Sequence, residues 1–164
     1  MKHVVAAGDR TTAEAAQRIL ESGGNAFDAA VAAVFTAMVA KPGLICAKGG
    51  GHFLAVPALG EPILFDFFVD MPRKKFEASD LDSLSVNVDF GSAQQEFHIG
   101  RAAVGVPGNV AGLLQVQQKL GSLLRKEVLL PAIEHTRDGI VLSKSQAYLV
   151  KILSPILTRE KKGV

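Results

Sequence analysis

The feature that most constrains the fold is a helix stop followed at once by a helix made almost wholly of small side chains. Residues 18–35 have the sequence RILESGGNAFDAAVAAVF. The double glycine at 23–24 ends one helix, because a residue without a Cβ readily takes the left-handed conformation that closes a helix. Asn25 and Asp28 cap a second helix, predicted over about 26–39. Small side chains on every face predict that neighbouring elements approach this helix closely.

The other segments predict a chain with its strands in the middle and helices on both sides. Thr11 and Glu14 have the spacing of a capping box at the start of the first helix. Strands grouped in the middle of the chain, with helices on both sides, indicate the α+β class. The predicted elements are an edge strand over 1–7, helices over 12–22 and 26–39, a hairpin of strands 52–56 and 62–69, a polar surface excursion over 72–95, a buried strand over 101–106, and helices over 110–120, 127–138 and 143–153, the last stopped by Pro155.

Composition limits which partners and which cellular location the sequence predicts. The chain has 164 residues, of which 48% are hydrophobic and 21% charged, as expected for one globular domain or a large piece of a bigger one. A net charge of +2 predicts no nucleic-acid partner. The longest apolar run, 29–40, falls short of the ~20 residues that span a bilayer, so no membrane partner is predicted. The single Cys46 is expected to be small and buried, and with the lack of a leader pattern it favours a cytoplasmic location.

Two glycine-rich segments suggest anion binding. The first has a simpler explanation, and the second departs from the motif that it resembles. Residues 49–51 precede a strand, whereas a phosphate-binding loop precedes a helix, so close approach of backbones is the better interpretation. Residues 105–112 lie between a predicted strand and a predicted helix, as in a dinucleotide fingerprint. Pro107 stands where that fingerprint has a glycine. A small non-catalytic nucleotide- or anion-binding module that uses residues 105–112 remains the alternative hypothesis.

The histidines and the cysteine show no spacing typical of a metal site. No local sequence pattern places a general base beside a nucleophile. The sequence therefore predicts no metal site and no cofactor, and it assigns no catalytic residue. The residues considered are His3, His52, His98, His135 and Cys46.

Five segments of the sequence carry a family resemblance when they are taken together: ILESGGNAFDAAVAAVF, GGGHF, AAVGVPGNVAGLLQVQQKLG, LLPAIEHTRDGIVLS and ILSPIL. In order and spacing they resemble the N-terminal half of the large subunit of the gamma-glutamyltranspeptidases. The resemblance covers about residues 7–157 and implies an N-terminal-nucleophile hydrolase fold, in which two stacked sheets lie between helical layers (αββα). It implies that residues 1–164 are the N-terminal segment of such a large subunit and an incomplete part of the sandwich.

The resemblance also implies a reaction, namely cleavage of a gamma-glutamyl amide such as that of glutathione, with transfer to water or an amine. The family's nucleophile is a Thr that becomes a new N-terminus, and its α-amine activates its own hydroxyl. That Thr lies downstream of every matched segment, and Thr11 and Thr12 stand at a helix start, where capping explains them. We therefore expect this chain to be a fragment that is inactive alone. The sequence leaves two alternatives open, a truncated chain without a catalytic centre or one that assembles with a separate small-subunit polypeptide.

One departure from the family pattern concerns substrate recognition. The family commonly has an Arg just after the hairpin, which binds the substrate's α-carboxylate through a bidentate contact. Phe68 stands at that position here, and Arg73 is only a distant substitute. No substrate-binding residue therefore carries over, and we expect the acyl donor to be a gamma-glutamyl or another acyl amide. The alanine-rich helix is expected to be an inner one, covered largely by sequence outside this chain.

Overall fold

The computed structural model describes residues 3–158 and divides into two compact units. Within these residues, unit 1 comprises 3–69 and 107–141, and unit 2 comprises 70–106 and 142–158. The mixture of helices and small antiparallel sheets confirms the α+β class. Unit 1 contains α1 (Arg10–Glu21), α2 (Ala26–Ala40), β1 (Gly51–Ala55), β2 (Ile63–Phe67), α3 (Asn109–Leu120) and α4 (Arg125–Asp138). Unit 2 contains β3 (Leu84–Asp89), β4 (Gln94–Ile99), α5 (Lys144–Ile152), α6 (Ser154–Leu157), and 3-10 turns at Ala78–Asp80 and Arg101–Ala103.

Helix α1 begins with a different cap from the one predicted. The Asp9 side chain accepts hydrogen bonds from Thr12 N at 2.9 Å and from Thr12 Oγ1 at 2.6 Å. The predicted capping box of Thr11 and Glu14 is therefore wrong, because the N-cap is Asp9, two residues before Thr11, and its side chain accepts from the Thr12 N–H. Gly23, at φ +89°, ends the helix as predicted.

Helix α2 has the predicted capping box, with Asn25 and Asp28 bonded to each other's backbone. Asp28 is completely buried, and its Oδ2 accepts from Ser122 N at 2.8 Å, Ser122 Oγ at 2.7 Å and Leu123 N at 3.2 Å. One carboxylate thus ties the start of α2 to the loop between α3 and α4.

Much of the cover on α2 comes from this chain. Helices α1, α3 and α4 all pack against it, which corrects the expectation that its cover lies largely elsewhere. Small side chains allow this close packing, since three helices share one central helix. A groove of about 440 Å³ remains beside α2, lined mainly by alanines and by residues 4–8.

Strands β1 and β2 form the predicted antiparallel hairpin, in which His52 faces Asp66 and Leu54 faces Leu64. One face of the hairpin buries Ala55 and Phe65 in the core of unit 1, and β2 packs on α3. Because side chains alternate between faces, His52, Leu54, Leu64 and Asp66 lie on the opposite face. Leu54 and Leu64 are exposed there.

Unit 2 departs most from the sequence predictions. The polar excursion over 72–95 contains a 3-10 turn and most of an antiparallel hairpin, β3 with β4. The buried strand predicted over 101–106 is wrong, because residues 101–103 form an exposed 3-10 turn and Val106 makes only an isolated bridge to Asp70. Pro155 lies inside the short helix α6, which follows α5 directly.

The structure describes the two ends of the chain only in part. Residues 3–7 belong to no helix or strand, so the edge strand predicted over 1–7 is wrong there, and residues 1–2 lie outside the described part. The polar residues 159–164 also lie outside it. Among the helices described between residues 3 and 158, none has the length and apolarity that crossing a bilayer requires.

Candidate functional site

The end of β2 and the start of α3 meet at a set of glycines, which we call the glycine joint: Gly49, Gly50, Gly108 and Gly112. The N–H groups of Gly108 and Asn109 both donate to the Gly49 carbonyl at 3.0 Å. The Asn109 side-chain amide donates to the Cys46 carbonyl at 2.8 Å. The loop before β1 is thereby attached to the first turn of α3.

Three of these glycines leave no room for a side chain. A Cβ on Gly50 would lie 2.3 Å from Val69 N, and one on Gly108 would lie 2.0 Å from the Phe67 carbonyl oxygen. A Cβ on Gly112 would lie 2.1 Å from Cγ of the Phe67 ring. The close backbone approach predicted for the triple glycine is thus present at Gly50. Together these contacts fix the backbone of residues 67–69.

Beside the fixed backbone lies an exposed group of three side chains, which we call the hairpin cluster: His52, Asp66 and Phe68. His52 Nε2 lies 3.3 Å from Asp66 Oδ1, and the Phe68 N–H donates to the same oxygen at 3.1 Å. The His52 and Phe68 rings are stacked, with centroids 5.5 Å apart and planes inclined by 16°. Phe68 is 61% exposed, so the cluster presents an aromatic ring and a carboxylate to solvent.

The sequence predictions name His52 and Phe68 separately and do not include Asp66. The signal was present in the predicted hairpin, because its register places position 66 opposite position 52. The stacking of the two rings was not predictable from the strands alone, since Phe68 lies just beyond the end of β2.

The other candidate residues do not join a cluster of metal ligands. Within residues 3–158, no group of three or more His, Cys, Asp or Glu side chains could hold a metal ion. Cys46 is exposed, which corrects the expectation that it is buried. Arg73, the distant substitute for a carboxylate-binding Arg, is an exposed residue of unit 2.

The glycine turn over 105–112 does not have the geometry of a phosphate-binding loop. The strand predicted before it is absent from the structure. Free N–H groups at a helix start are what bind an anion, and here the two at Gly108 and Asn109 are occupied by the Gly49 carbonyl. The described residues therefore give the alternative hypothesis no support.

Thr11 and Thr12 lie in the first turn of α1, where capping accounts for Thr12. Its side chain is largely buried, and its hydroxyl donates to Asp9. Neither residue belongs to the glycine joint or to the hairpin cluster.

The fold of the described residues is similar to that of solved transpeptidase structures. The structure is similar to that of the gamma-glutamyltranspeptidase from Pseudomonas nitroreducens complexed with L-DON, with a TM-score of 0.76 and 31% sequence identity. That match covers 96% of this chain and 46% of the other. Residues 12–162 match the family described as Gamma-glutamyltranspeptidase, and the chain belongs to this family. The resemblance found in the sequence is confirmed.

Two relatives show the range of named activities among similar proteins. The glutathione hydrolase proenzyme of Pseudomonas aeruginosa is 36% identical over 144 residues, which cover 87% of this chain and 24% of the relative. The acylase ACY 1 proenzyme of Pseudomonas sp. (strain V22) is 34% identical over 131 residues, covering 79% and 23% respectively. The chain thus spans about a quarter of the length of these relatives.

Proposed function

We propose that these residues form the N-terminal part of the large subunit of an N-terminal-nucleophile amide hydrolase or acyltransferase. The substrate is a gamma-glutamyl amide, such as glutathione, or another acyl amide. The observation that carries this proposal is the family match over residues 12–162. The similarity in fold to the Pseudomonas nitroreducens enzyme supports it.

The nucleophile of the proposed reaction is a Thr outside residues 1–164, on a separate small-subunit polypeptide. The position of Thr12 supports this assignment, because its hydroxyl is engaged by Asp9 and it lies within a helix. An N-terminal nucleophile requires a free α-amine beside its own hydroxyl, which a residue inside a helix does not have. Residues 1–164 by themselves are therefore proposed to be inactive.

The identity of the acyl group is the second part of the proposal. Phe68 cannot form the bidentate contact through which an Arg binds a carboxylate. A relative named as an acylase, 34% identical to this chain, supports an acyl donor other than the gamma-glutamyl group.

The test compares two preparations in the same assay. Protein that carries these residues is immunopurified from its source with an antibody against residues 109–138, and its polypeptides are identified by mass spectrometry and N-terminal sequencing. We expect a Thr-led polypeptide in this material and turnover of a gamma-glutamyl or phenylacetyl anilide. We expect no turnover by the purified polypeptide of residues 1–164. Turnover by that polypeptide, or source material with neither activity, would contradict the proposal.

A further inference from the structure

We propose that the hairpin cluster, His52, Asp66 and Phe68, recognises the acyl group of the substrate and selects planar, apolar acyl groups next to an amide N–H. The inference rests on the proposed function for the reaction. It concerns binding, so it is tested without turnover.

The first argument is that Phe68 is held in place although its ring is exposed. The Val69 N and Phe68 carbonyl carbon lie 2.3 and 2.6 Å from where a Cβ on Gly50 would be, so the two backbones are in direct contact. The Phe68 N–H is bonded to Asp66. The Phe68 ring itself is stacked on His52, and a side chain that is already restrained loses less freedom when it binds a ligand. An exposed but preorganised ring is suited to binding a planar group.

The second argument is the chemistry of the surrounding face. His52 stacks on Phe68, and aromatic rings favour this offset or parallel contact with other planar groups. Leu54 and Leu64, on the same face of the hairpin, are 64% and 62% exposed. The surface next to the stacked rings is therefore apolar, as an aryl or similar acyl group requires.

The third argument concerns Asp66, whose carboxylate favours a ligand that carries a hydrogen-bond donor. A carboxylate offers about four acceptor positions, and His52 and Phe68 use two of them. The amide N–H of an acyl amide can occupy another. The head group of a gamma-glutamyl donor carries both an α-carboxylate, which Asp66 repels, and an α-ammonium, which Asp66 attracts, so these two effects offset each other. The cluster contains no Arg or Lys that would bind the α-carboxylate, and its preference for apolar acyl groups comes from Phe68, Leu54 and Leu64.

The experiment is an NMR titration of the 164-residue chain with two small primary amides, phenylacetamide and L-glutamine. L-glutamine is the gamma-glutamyl amide of ammonia, so the pair differs in the acyl group and not in the amide. We expect phenylacetamide to shift the ring resonances of His52 and Phe68, and L-glutamine to leave them unchanged at the same concentration. Binding of L-glutamine at the cluster with equal or higher affinity would overturn the inference.

Single substitutions show whether phenylacetamide binds at Phe68. Phe68→Ala is expected to weaken phenylacetamide binding about tenfold, the effect of losing one aromatic stacking contact. Phe68→Tyr keeps the ring and should bind as the wild type does. Phe76→Ala removes a phenylalanine that is 55% exposed in unit 2 and serves as the matched control, with no change expected. Phe68→Leu replaces Phe68→Ala if that variant does not fold, with the same expected loss.

The outcomes separate this inference from the proposed function. No shift at His52 and Phe68, or equal affinity in the wild type and Phe68→Ala, refutes the role of the cluster even if the source enzyme cleaves amides. Phenylacetamide binding that depends on Phe68 supports the cluster even if the source material shows no amide turnover.

Discussion

The two β-hairpins of this molecule are built on different principles. Hairpin β1–β2 buries Ala55 and Phe65, packs on α3, and is fixed at its end by the glycine joint. Hairpin β3–β4 has one buried side chain, Val88, which is 1% exposed. Two-stranded hairpins are marginally stable alone, so packing decides how strongly each is held. We therefore expect β1–β2 to share the stability of unit 1 and β3–β4 to open locally.

The largest effect is expected at the glycine joint. Gly50→Ala should lower the free energy of unfolding by about 3 kcal/mol, because its Cβ would lie 2.3 Å from Val69 N, and main chain yields less easily than the end of a flexible side chain. Gly51→Ala is the matched control, since its Cβ would lie an ordinary 3.7 Å from the Phe67 ring, and it should change stability by less than about 0.5 kcal/mol. Urea denaturation measures both. Equal effects of the two substitutions would show that the joint is not close-packed.

The second largest effect is expected for Asp28, whose buried carboxylate connects α2 to the loop between α3 and α4. Asp28→Ala should cost about 2 to 3 kcal/mol, because it removes the completely buried carboxylate that accepts from the N–H groups of Ser122 and Leu123. The control is Glu14→Ala, which removes only an exposed ion pair with Arg10 and should cost under about 0.5 kcal/mol. Thermal and urea denaturation give the comparison. A near-neutral Asp28→Ala would show that α2 does not depend on this tie.

A smaller, local effect sharpens the contrast between the hairpins. Val88→Ala should reduce the protection of β3–β4 amides from hydrogen exchange by about 2 kcal/mol, through lost burial and a small cavity. Amides of β1–β2 should be unaffected. Native-state hydrogen exchange followed by NMR resolves the two sets. An equal loss of protection in both hairpins would show that they open together and would remove the distinction drawn above.

The smallest effect concerns a helix cap away from both hairpins. Burial raises the pKa of the Asp9 carboxyl, but the hydrogen bonds from Thr12 and the ion pair with Lys41 outweigh it, so the pKa lies below its ordinary value of 3.8. Asp9→Ala should cost about 1 kcal/mol at neutral pH. A lowered pKa stabilises the folded state above the unfolded value and loses that contribution as the pH falls through the folded value.

The pH dependence provides the check on this assignment. The difference in unfolding free energy between the wild type and Asp9→Ala should be constant at neutral pH and shrink as the pH falls below 3.8. Urea denaturation at a series of pH values measures it. A difference that grew on acidification would mean that the pKa of Asp9 is raised in the folded state.

The same contrast explains which parts of the fold could be predicted. The capping box at Asn25, the glycine stop after α1 and the apolar strands of β1–β2 are local signals that tertiary packing reinforces. Strand β3 gives a weaker signal, because Leu84, Val86 and Val88 alternate with polar residues inside a largely polar stretch. Residues 101–106 show the reverse error, since an apolar composition alone does not place a segment in a sheet.

The candidate site was predictable in parts. The resemblance drew attention to Phe68, and the hairpin register set His52 opposite Asp66. The contacts of Gly108 and Gly112 with Phe67 join segments about 40 residues apart, and no local pattern in the sequence encodes them.

The glycine joint also limits how this protein can change over evolutionary time. At positions 50, 108 and 112 any larger residue meets main chain or the Phe67 ring, so we expect substitutions there to destabilise the fold. The side chains at 52 and 68 are exposed, and we expect their replacement to disturb the packing of unit 1 little. Sequence variation should therefore be tolerated at positions 52 and 68 and excluded at the three glycines.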